Sequence, residues 1–489
     1  MIPQISSSLF ETQSPDVNDQ IEILRAKVTE LSNQVDQVAQ AAGIEHAVEH
    51  ATRLSIFHGY IGVFFIAFLG TLLVTPIMRR LAVSHGIIDR PNEARKVHKQ
   101  PIAYLGGVAV YAGLMLGILF SYIGPRIPGL LTTHATTHTD FAGDVAPVPL
   151  SVLLGLTIIM IIGLIDDVTG ISPRVKIGGQ LVAAAALAVE NFGVKLATGF
   201  LQPLGQIIGN EHLVWNVPLP FSIPGMNLDH ITIDVIYWTG TAIIAFAVIG
   251  LCNAANLIDG LDGLLTGTTA ISSVGFLVLA LGLALADDGP RDAQRIVLCL
   301  ALFGACLGFL PHNFNPANIF LGDAGSMLLG FTSCVIILSF GDTGKTFIVV
   351  AGLLVFALPV IDTSLAIVRR VMARKSISEA DDQHLHHMLK RSLGVKGAVF
   401  VLYGIAASFS TLGVLISMVR ARSIYALALV IAAFIGVIAI KIARKKLIEE
   451  QANRFDSRTA STPKTPAEAP ASPATPLAPR SSTPEPASP

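Results

Sequence analysis

The chain has 489 residues, of which 52% are hydrophobic and 14% are charged, and its formal net charge is −1. Soluble domains carry about 25% charged residues, so this composition excludes an ordinary soluble protein and indicates an integral membrane protein. The balanced charge offers no basic excess and no case for nucleic-acid binding. Four cysteines lie in or beside apolar segments without a Cys-x-x-Cys spacing, which favours reduced packing residues over disulfides or metal ligands: Cys252, Cys299, Cys306 and Cys334.

The N-terminal segment is polar and lacks the apolar core of a cleavable signal peptide. Residues 1–16 are expected to be disordered. From residue 17 onward apolar residues alternate at spacings of four and three, namely Val17, Ile21, Leu24, Val28, Leu31, Val35 and Val38. This a/d pattern predicts an extracytoplasmic helix within 17–50. It is either a short coiled coil, which would pair two chains in a homodimer, or a single amphipathic helix on the membrane.

Apolar stretches of membrane-spanning length recur over residues 54–441 and predict an all-α, polytopic membrane domain. About eleven transmembrane helices are expected, near 55–76, 102–123, 148–165, 177–193, 232–251, 264–286, 294–311, 325–340, 346–368, 396–418 and 423–441. Residues 442–489 are rich in Pro, Ala, Ser and Thr, so a disordered tail is expected there.

Lysine and arginine residues between the spans predict how the chain is oriented. They cluster in loop 77–101, in loop 369–395 and at the start of the tail, and these three segments fall on one face under an eleven-span count. The positive-inside rule makes that face cytoplasmic, with the N-terminus outside and the C-terminus in the cytoplasm. Four polar islands that interrupt the apolar sequence then also lie on the cytoplasmic face.

The first island is the pair Asp166 and Asp167 at the end of the third predicted span. Adjacent carboxylates on a non-helical turn can share a cation or a proton. A solvated helix end is the plainer interpretation of a bare Asp-Asp pair. Lys176 follows at the start of the next span, where its cation could meet a phosphate.

The second island spaces Asn253, Asn256, Asp259 and Asp262 at intervals of three. On a helical turn this spacing keeps amides and carboxylates on one face. A helix end closed by glycines is the alternative, but four polar groups in register favour a ligand site.

The third island runs from Asn313 to Ser326, and Pro311 and Pro316 are expected to break the helix there. Asp323 lies near two glycines, Gly322 and Gly325, as an accessible metal ligand would. Phe320 is by default a packing residue, but its ring could also stack on a base.

The fourth island contains His384, His386 and His387 beside Lys390 and Arg391. Zinc is the first ligand to consider, but the sequence offers no matching Cys or second His pair. Histidines among basic residues suit a diphosphate better, and Mg²⁺ prefers the oxygen ligands that the Asp and Asn residues supply.

Together these motifs resemble the polyprenyl-phosphate N-acetylhexosamine-1-phosphate transferases (glycosyltransferase family 4 type), in the undecaprenyl-phosphate N-acetylglucosaminyl 1-phosphate transferase branch. The resemblance covers about residues 55–440. It is carried by the four islands and by Arg95-Lys96-Val97-His98 followed by Gly106-Gly107, which is similar to the family's first cytoplasmic loop.

The resemblance implies a reaction, a cofactor and a location. N-acetylhexosamine-1-phosphate, with N-acetylglucosamine as the default sugar, would pass from a UDP-sugar to undecaprenyl phosphate with release of UMP. Magnesium would be required, with Mn²⁺ as a substitute. The product would prime a cell-envelope polysaccharide such as O-antigen, enterobacterial common antigen or teichoic acid. The expected location is a bacterial cytoplasmic membrane, with the active site on its cytoplasmic face.

The resemblance also implies a role for each matching residue. Asp323 would be the principal magnesium ligand and Asn256 a second one. Asp166 and Asp167 would lie beside the attacking lipid phosphate, and either is a candidate base.

The remaining matches concern the nucleotide and the phosphates. Phe320 would stack on uracil. The nucleotide pocket would be lined by Asp259, Asp262 and Asn313. The diphosphate would be held by Lys176, His384, His386 and His387. The first loop would close over the phosphates with Lys96, His98 and Lys99.

Two departures from the family pattern remove a basic residue each. Tyr104 stands where the family often has Arg before Gly-Gly, and Asp381-Asp382 stands where it often has Asp-Arg. His-Leu-His-His, in place of a run of three histidines, argues against the peptidoglycan branch. A transporter or flippase of a phosphorylated substrate is the alternative function. It is disfavoured because the polar islands lie at one face rather than at the membrane midplane, and because no inverted repeat is evident in the sequence. A scaffold role for the two ends of the chain could coexist with catalysis.

Overall fold

The computed structural model describes most of the predicted membrane domain. The described residues are 27, 30, 53–89, 101–123, 138–139, 145–192, 194–218, 230–286, 291–343, 346–372 and 384–418. The predicted disordered ends, the last predicted span at 423–441 and, apart from residues 27 and 30, the predicted N-terminal helix lie outside these residues.

Within that part of the chain the fold is a bundle of α-helices. In chain order they are α1 (Arg53–Ser84), α2 (Gly106–Ile123), α3 (Leu150–Thr169), α4 (Pro173–Val189), α5 (Val194–Ile208), α6 (Val235–Ile258), α7 (Leu264–Leu285), α8 (Asp292–Asn313), α9 (Gly322–Ser339), α10 (Thr346–Val355), α11 (Ala357–Met372) and α12 (Leu385–Ser417). Among the described residues eight helices are long and apolar enough to cross a membrane, or nine spans if the bent pair α10–α11 is one of them. The prediction of a helical, polytopic membrane protein is confirmed, although short β ribbons also occur, whereas the number of spans and their orientation stay predictions.

Two predicted spans differ in shape from simple transmembrane helices. The segment predicted at 177–193 is the 17-residue helix α4, about 25 Å long at the usual helical rise and so shorter than a typical hydrocarbon core. The span predicted at 346–368 is the pair α10–α11, whose axes are bent by 82°.

Three antiparallel two-stranded ribbons join helices. They pair β1 (Ile88–Asp89) with β2 (Ile102–Ala103), β3 (His138–Thr139) with β4 (Val145–Ala146), and β5 (Val214–Pro218) with β6 (His230–Asp234). The first ribbon continues into the segment before α9, because the Phe320 N–H donates to the Ala103 carbonyl oxygen over 2.9 Å.

Helix α9 lies at the centre of the bundle, and every residue from Ala324 to Ser339 is buried. Its first turn touches two neighbouring helices at glycines. Gly107 of α2 and Gly163 of α3 lie against the backbone of Ala324 and Gly325, leaving no room for a Cβ atom. Small residues allow this close approach of helices, and the contact fixes the position of the adjacent Asp323.

Buried ion pairs stabilise the end of the bundle that lies opposite Asp323. Arg295 donates to Asp292 Oδ1 over 2.6 Å and to the Ser339 carbonyl oxygen over 2.9 and 3.1 Å. Arg291 pairs with Asp342. These contacts join the start of α8 to the end of α9.

We expect Arg295→Met to lower the free energy of unfolding by about 3–5 kcal/mol, because breaking a buried ion pair removes the cation that compensates a desolvated carboxylate. Asp292 and Arg295 both have fully buried side chains. The measurement is thermal unfolding of the purified protein in detergent. Arg174→Met, at an exposed arginine, is the matched control, and equal melting temperatures of the two variants would contradict the prediction.

Candidate active site

The four polar islands meet at one end of the bundle, as their predicted placement on one face requires. The C-terminal ends of α3, α6 and α8 and the N-terminal ends of α4, α7, α9 and α12 meet there. A cavity of about 690 Å³ opens between them, lined among others by Tyr104, Asp259, Phe320, Asp323 and His387. Which side of the membrane this end faces stays a prediction.

A lysine joins two carboxylates beside this cavity. Lys176 Nζ lies 2.5 Å from Asp166 Oδ2 and also pairs with Asp323. The Asn256 amide nitrogen donates to Asp323 Oδ1 over 2.7 Å and to Ser326 Oγ over 2.9 Å. Residues from four helices therefore converge on Asp323, although they are far apart in sequence.

Asp166 and Asp167 lie in the last turn of α3, so the prediction of a non-helical turn was wrong. Neighbouring residues of a helix point in directions about 100° apart, so the two carboxylates separate. Asp167 accepts the backbone N–H groups of Asp323 over 2.7 Å and Ala324 over 3.0 Å. It thereby binds the N-terminus of α9, where a negative charge is favourable, and positions Asp323.

The site carries an excess of negative charge that suits a divalent cation. The pKa of Asp259 is raised to about 8, first by burial and then by the carboxylates of Asp323, Asp167 and Asp262. Carboxylate and amide oxygens are ligands that Mg²⁺ accepts, so the donor set fits this ion. Asn256 contacts Asp323 through its nitrogen, and as a metal ligand it would have to turn its amide over.

Two predicted nucleotide-binding residues also hold the loops that surround the cavity. Asn313 Oδ1 accepts the Gly263 N–H and the Thr266 hydroxyl over 3.2 and 3.0 Å. Asp262 Oδ2 accepts the Asn315 amide and the Ala317 N–H over 2.8 and 3.1 Å. Both residues line the cavity, but these contacts already tie the α6–α7 loop to the α8–α9 segment.

Phe320 lies on the cavity wall, half-buried. Its backbone pairs with Ala103 and with Gly106, over 2.9 and 3.1 Å, so its backbone is held by β2 and by the start of α2. The ring centroid of Tyr104 lies 6.0 Å away. Sequence reasoning noted Tyr104 only as a missing arginine and gave it no place in the site, whereas the structure puts its ring beside Phe320.

The three histidines take two different positions. His387 lines the cavity together with Lys390. His384 and His386 are buried and contact Asp362 instead. Asp362 was missed because it is the one charged residue of a stretch that otherwise reads as a transmembrane span, with only Thr363 and Ser364 as polar neighbours. Lys96, His98 and Lys99 fall in 90–100, outside the described residues.

Comparison with known proteins agrees with these motifs. Residues 149–341 match the family described as "Glycosyl transferase family 4". The probable undecaprenyl-phosphate N-acetylglucosaminyl 1-phosphate transferase of Bacillus subtilis is 30% identical over 349 residues, covering 71% of this chain and 82% of that protein. The undecaprenyl-phosphate alpha-N-acetylglucosaminyl 1-phosphate transferase of Escherichia coli is 32% identical over 71% of this chain and 81% of its own length. A decaprenyl-phosphate N-acetylglucosaminephosphotransferase of Mycolicibacterium smegmatis is 33% identical, over 68% and 76% respectively.

Proposed function

Because the chain belongs to the polyprenyl-phosphate N-acetylhexosamine-1-phosphate transferases of glycosyl transferase family 4, we propose that it transfers N-acetylglucosamine-1-phosphate from UDP-N-acetylglucosamine to undecaprenyl phosphate. The single observation that carries the proposal is the contact of Lys176 with Asp166 and Asp323 beside the cavity. This arrangement offers both a cation for phosphates and carboxylates for a metal ion. The product, undecaprenyl-diphospho-N-acetylglucosamine, would prime synthesis of a cell-envelope polysaccharide.

In the proposed reaction an oxygen of the lipid phosphate bonds to the phosphorus that carries the sugar. The bond from that phosphorus to the bridging oxygen breaks, and UMP leaves with the electron pair. Both reactants are anions, so the reaction needs positive charge around the phosphates. Magnesium, when bound, supplies part of that charge by neutralising phosphate oxygens.

The side chains around the cavity suit separate parts of this task. Asp323 would hold the magnesium ion, with Asn256 as a second ligand, and Asp167 keeps Asp323 in place through the backbone of α9. Lys176 would approach the diphosphate from one wall. His387 and Lys390 would do so from another.

The position of the site at the end of the bundle suits one lipid and one water-soluble substrate. The lipid tail can stay in the bilayer while the nucleotide enters from water. We place this end on the cytoplasmic side of a bacterial inner membrane, because Arg79 and Lys390, from two of the predicted basic loops, line the cavity.

The proposal is tested with the full-length protein in detergent, undecaprenyl phosphate, magnesium and a panel of UDP-N-acetylhexosamines, by following UMP release. We expect release with UDP-N-acetylglucosamine that depends on both lipid and metal. Release with a different sugar would correct the donor and keep the reaction. A folded protein that neither releases UMP nor binds any UDP-sugar would favour the transporter or flippase alternative.

We expect Phe320→Ala to raise the KM for the UDP-sugar by about 5- to 150-fold, because stacking of a base on an aromatic ring contributes about 1–3 kcal/mol. Initial rates of UMP release at varied donor concentration measure it. Phe320→Tyr is the matched control, since it keeps the ring and should keep the KM near the wild-type value. An unchanged KM in a folded Phe320→Ala protein would remove the stacking role.

A further inference from the structure

Asp362, His384 and His386 form a buried cluster behind the wall of the active-site cavity. Asp362 belongs to α11, and the two histidines stand at the start of α12. Their exposed fractions are 2%, 4% and 2%. Asp362 Oδ2 lies 3.0 Å from His384 Nδ1 and 3.4 Å from His386 Nδ1.

The spacing of these atoms matches that of ligands around one small metal ion. One ligand atom of each residue lies within 4.8 Å of those of the other two. Zinc binds His nitrogen and carboxylate oxygen at about 2.0–2.2 Å, so two ligands of a tetrahedral ion stand roughly 3.3–3.6 Å apart. The two Asp–His distances are already close to this value, and little movement would be needed to bind an ion.

The hydrogen bonds of the cluster leave one nitrogen poorly satisfied. His386 Nδ1 is buried and faces Asp362 Oδ2 over 3.4 Å, without the alignment of a hydrogen bond to any residue that the structure describes. Asp362 Oδ2 forms a hydrogen bond with His384 Nδ1, and Asp362 Oδ1 accepts the Leu385 N–H over 2.9 Å. A buried polar atom without a well-aligned partner destabilises the folded state, and a metal–nitrogen bond would remove that penalty.

The surroundings of the cluster indicate a buried site with fixed side chains. His386 Nε2 packs so closely against Gly260 that a Cβ atom on that residue would lie 2.5 Å from it. The Leu385 N–H bond to Asp362 Oδ1 is the kind of outer contact that fixes a metal-binding carboxylate. Two imidazoles and one carboxylate suit a transition metal such as zinc better than magnesium, which prefers an all-oxygen site.

We propose that Asp362, His384 and His386 bind one divalent transition-metal ion of the zinc type, separate from the oxygen-donor site at Asp323. The ion joins α11 to the start of α12, whose first two turns bring His387 and Lys390 to the cavity. This binding does not depend on the proposed transfer reaction. The alternative is a metal-free cluster in which Asp362 holds the histidines by hydrogen bonds.

The test measures metal in the full-length protein, purified in detergent without a polyhistidine tag after growth with added zinc. Elemental analysis should find about one zinc ion per chain. His386→Gln and Asp362→Asn should each weaken zinc binding at least about 100-fold. Loss of a residue that only supports a metal ligand already lowers metal affinity by up to about 100-fold, and loss of the ligand itself should lower it at least as much. His387→Gln, next to the cluster but outside it, is the matched control and should keep the zinc.

Three results would overturn the proposal. The first is a folded wild-type protein that holds no zinc and whose melting temperature does not rise when zinc is added. The second is zinc binding in His386→Gln equal to that in the wild type. The third is loss of zinc in Asp323→Ala, which would place the ion at the other site. If the ligand variants do not fold, wild-type protein treated with a chelator decides the question, since zinc and not magnesium should restore its melting temperature.

Discussion

Replacement of Asp323 by alanine is expected to reduce transfer by at least about 10³-fold while the protein stays folded. The carboxylate would hold the metal ion that neutralises the phosphates, so the loss falls on kcat/KM. Folding should persist because the neighbours keep partners: Lys176 retains Asp166, and Asn256 retains Ser326. UMP release and thermal unfolding of the same preparation measure the two effects.

Two further variants test whether the charge of the Asp323 side chain and its position in the site account for the loss. Asp323→Asn keeps the size of the side chain and removes its charge, so it should be nearly as inactive as the alanine variant. Asp234→Asn removes a carboxylate that caps the start of α6, away from the cavity, and Asn is an equally good helix cap. It should transfer at the wild-type rate. Turnover retained in a folded Asp323→Ala protein would refute the metal assignment.

Replacement of Lys176 by methionine is expected to lower kcat/KM by about 10²–10³-fold. The ammonium group joins Asp166 and Asp323 at the edge of the cavity. Without it no ammonium group at this position stabilises the negative charge that develops on the phosphates. The carboxylates of Asp166 and Asp323 would also repel each other without the cation between them. Rates with saturating and limiting UDP-sugar show whether the loss lies in kcat or in KM.

Arg174→Met is the matched control for this substitution. Arg174 stands two residues before Lys176 in the first turn of α4 and is exposed, so its removal changes the net charge equally without touching the cluster. It should retain transfer within about twofold, since exposed charges contribute little. Comparable losses in both variants would mean that general charge, not the position of Lys176, matters.

The span pattern was predictable because apolar length alone marks a membrane helix. All predicted spans among the described residues coincide with helices. The sharp bend between Val355 and Ala357 was not predictable, because hydropathy records how apolar a segment is and not its direction. The fourth predicted span, 177–193, was already short, and α4 has the same 17-residue length but begins four residues earlier.

The sequence predicted which residues form the candidate site better than it predicted their orientations and contacts. Asp166, Lys176, Asn256 and Asp323 do lie together, as the islands indicated. The different orientations of Asp166 and Asp167 depend on the helix that continues through them. Asp362 and Tyr104 could not be placed, because the residues they contact, His384 and Phe320, come from other parts of the chain.

The sequence by itself determined that this is a polytopic helical membrane protein with four polar islands, and its motifs identified the family. These properties follow from local composition and spacing, which do not depend on how helices pack. Only the tertiary structure decided which atoms meet: Asp167 at the N-terminus of α9, Lys176 between two carboxylates, and two histidines on Asp362 instead of in the cavity. Such contacts join residues more than 20 positions apart, and helix packing at small residues such as Gly107 and Gly163 sets their geometry.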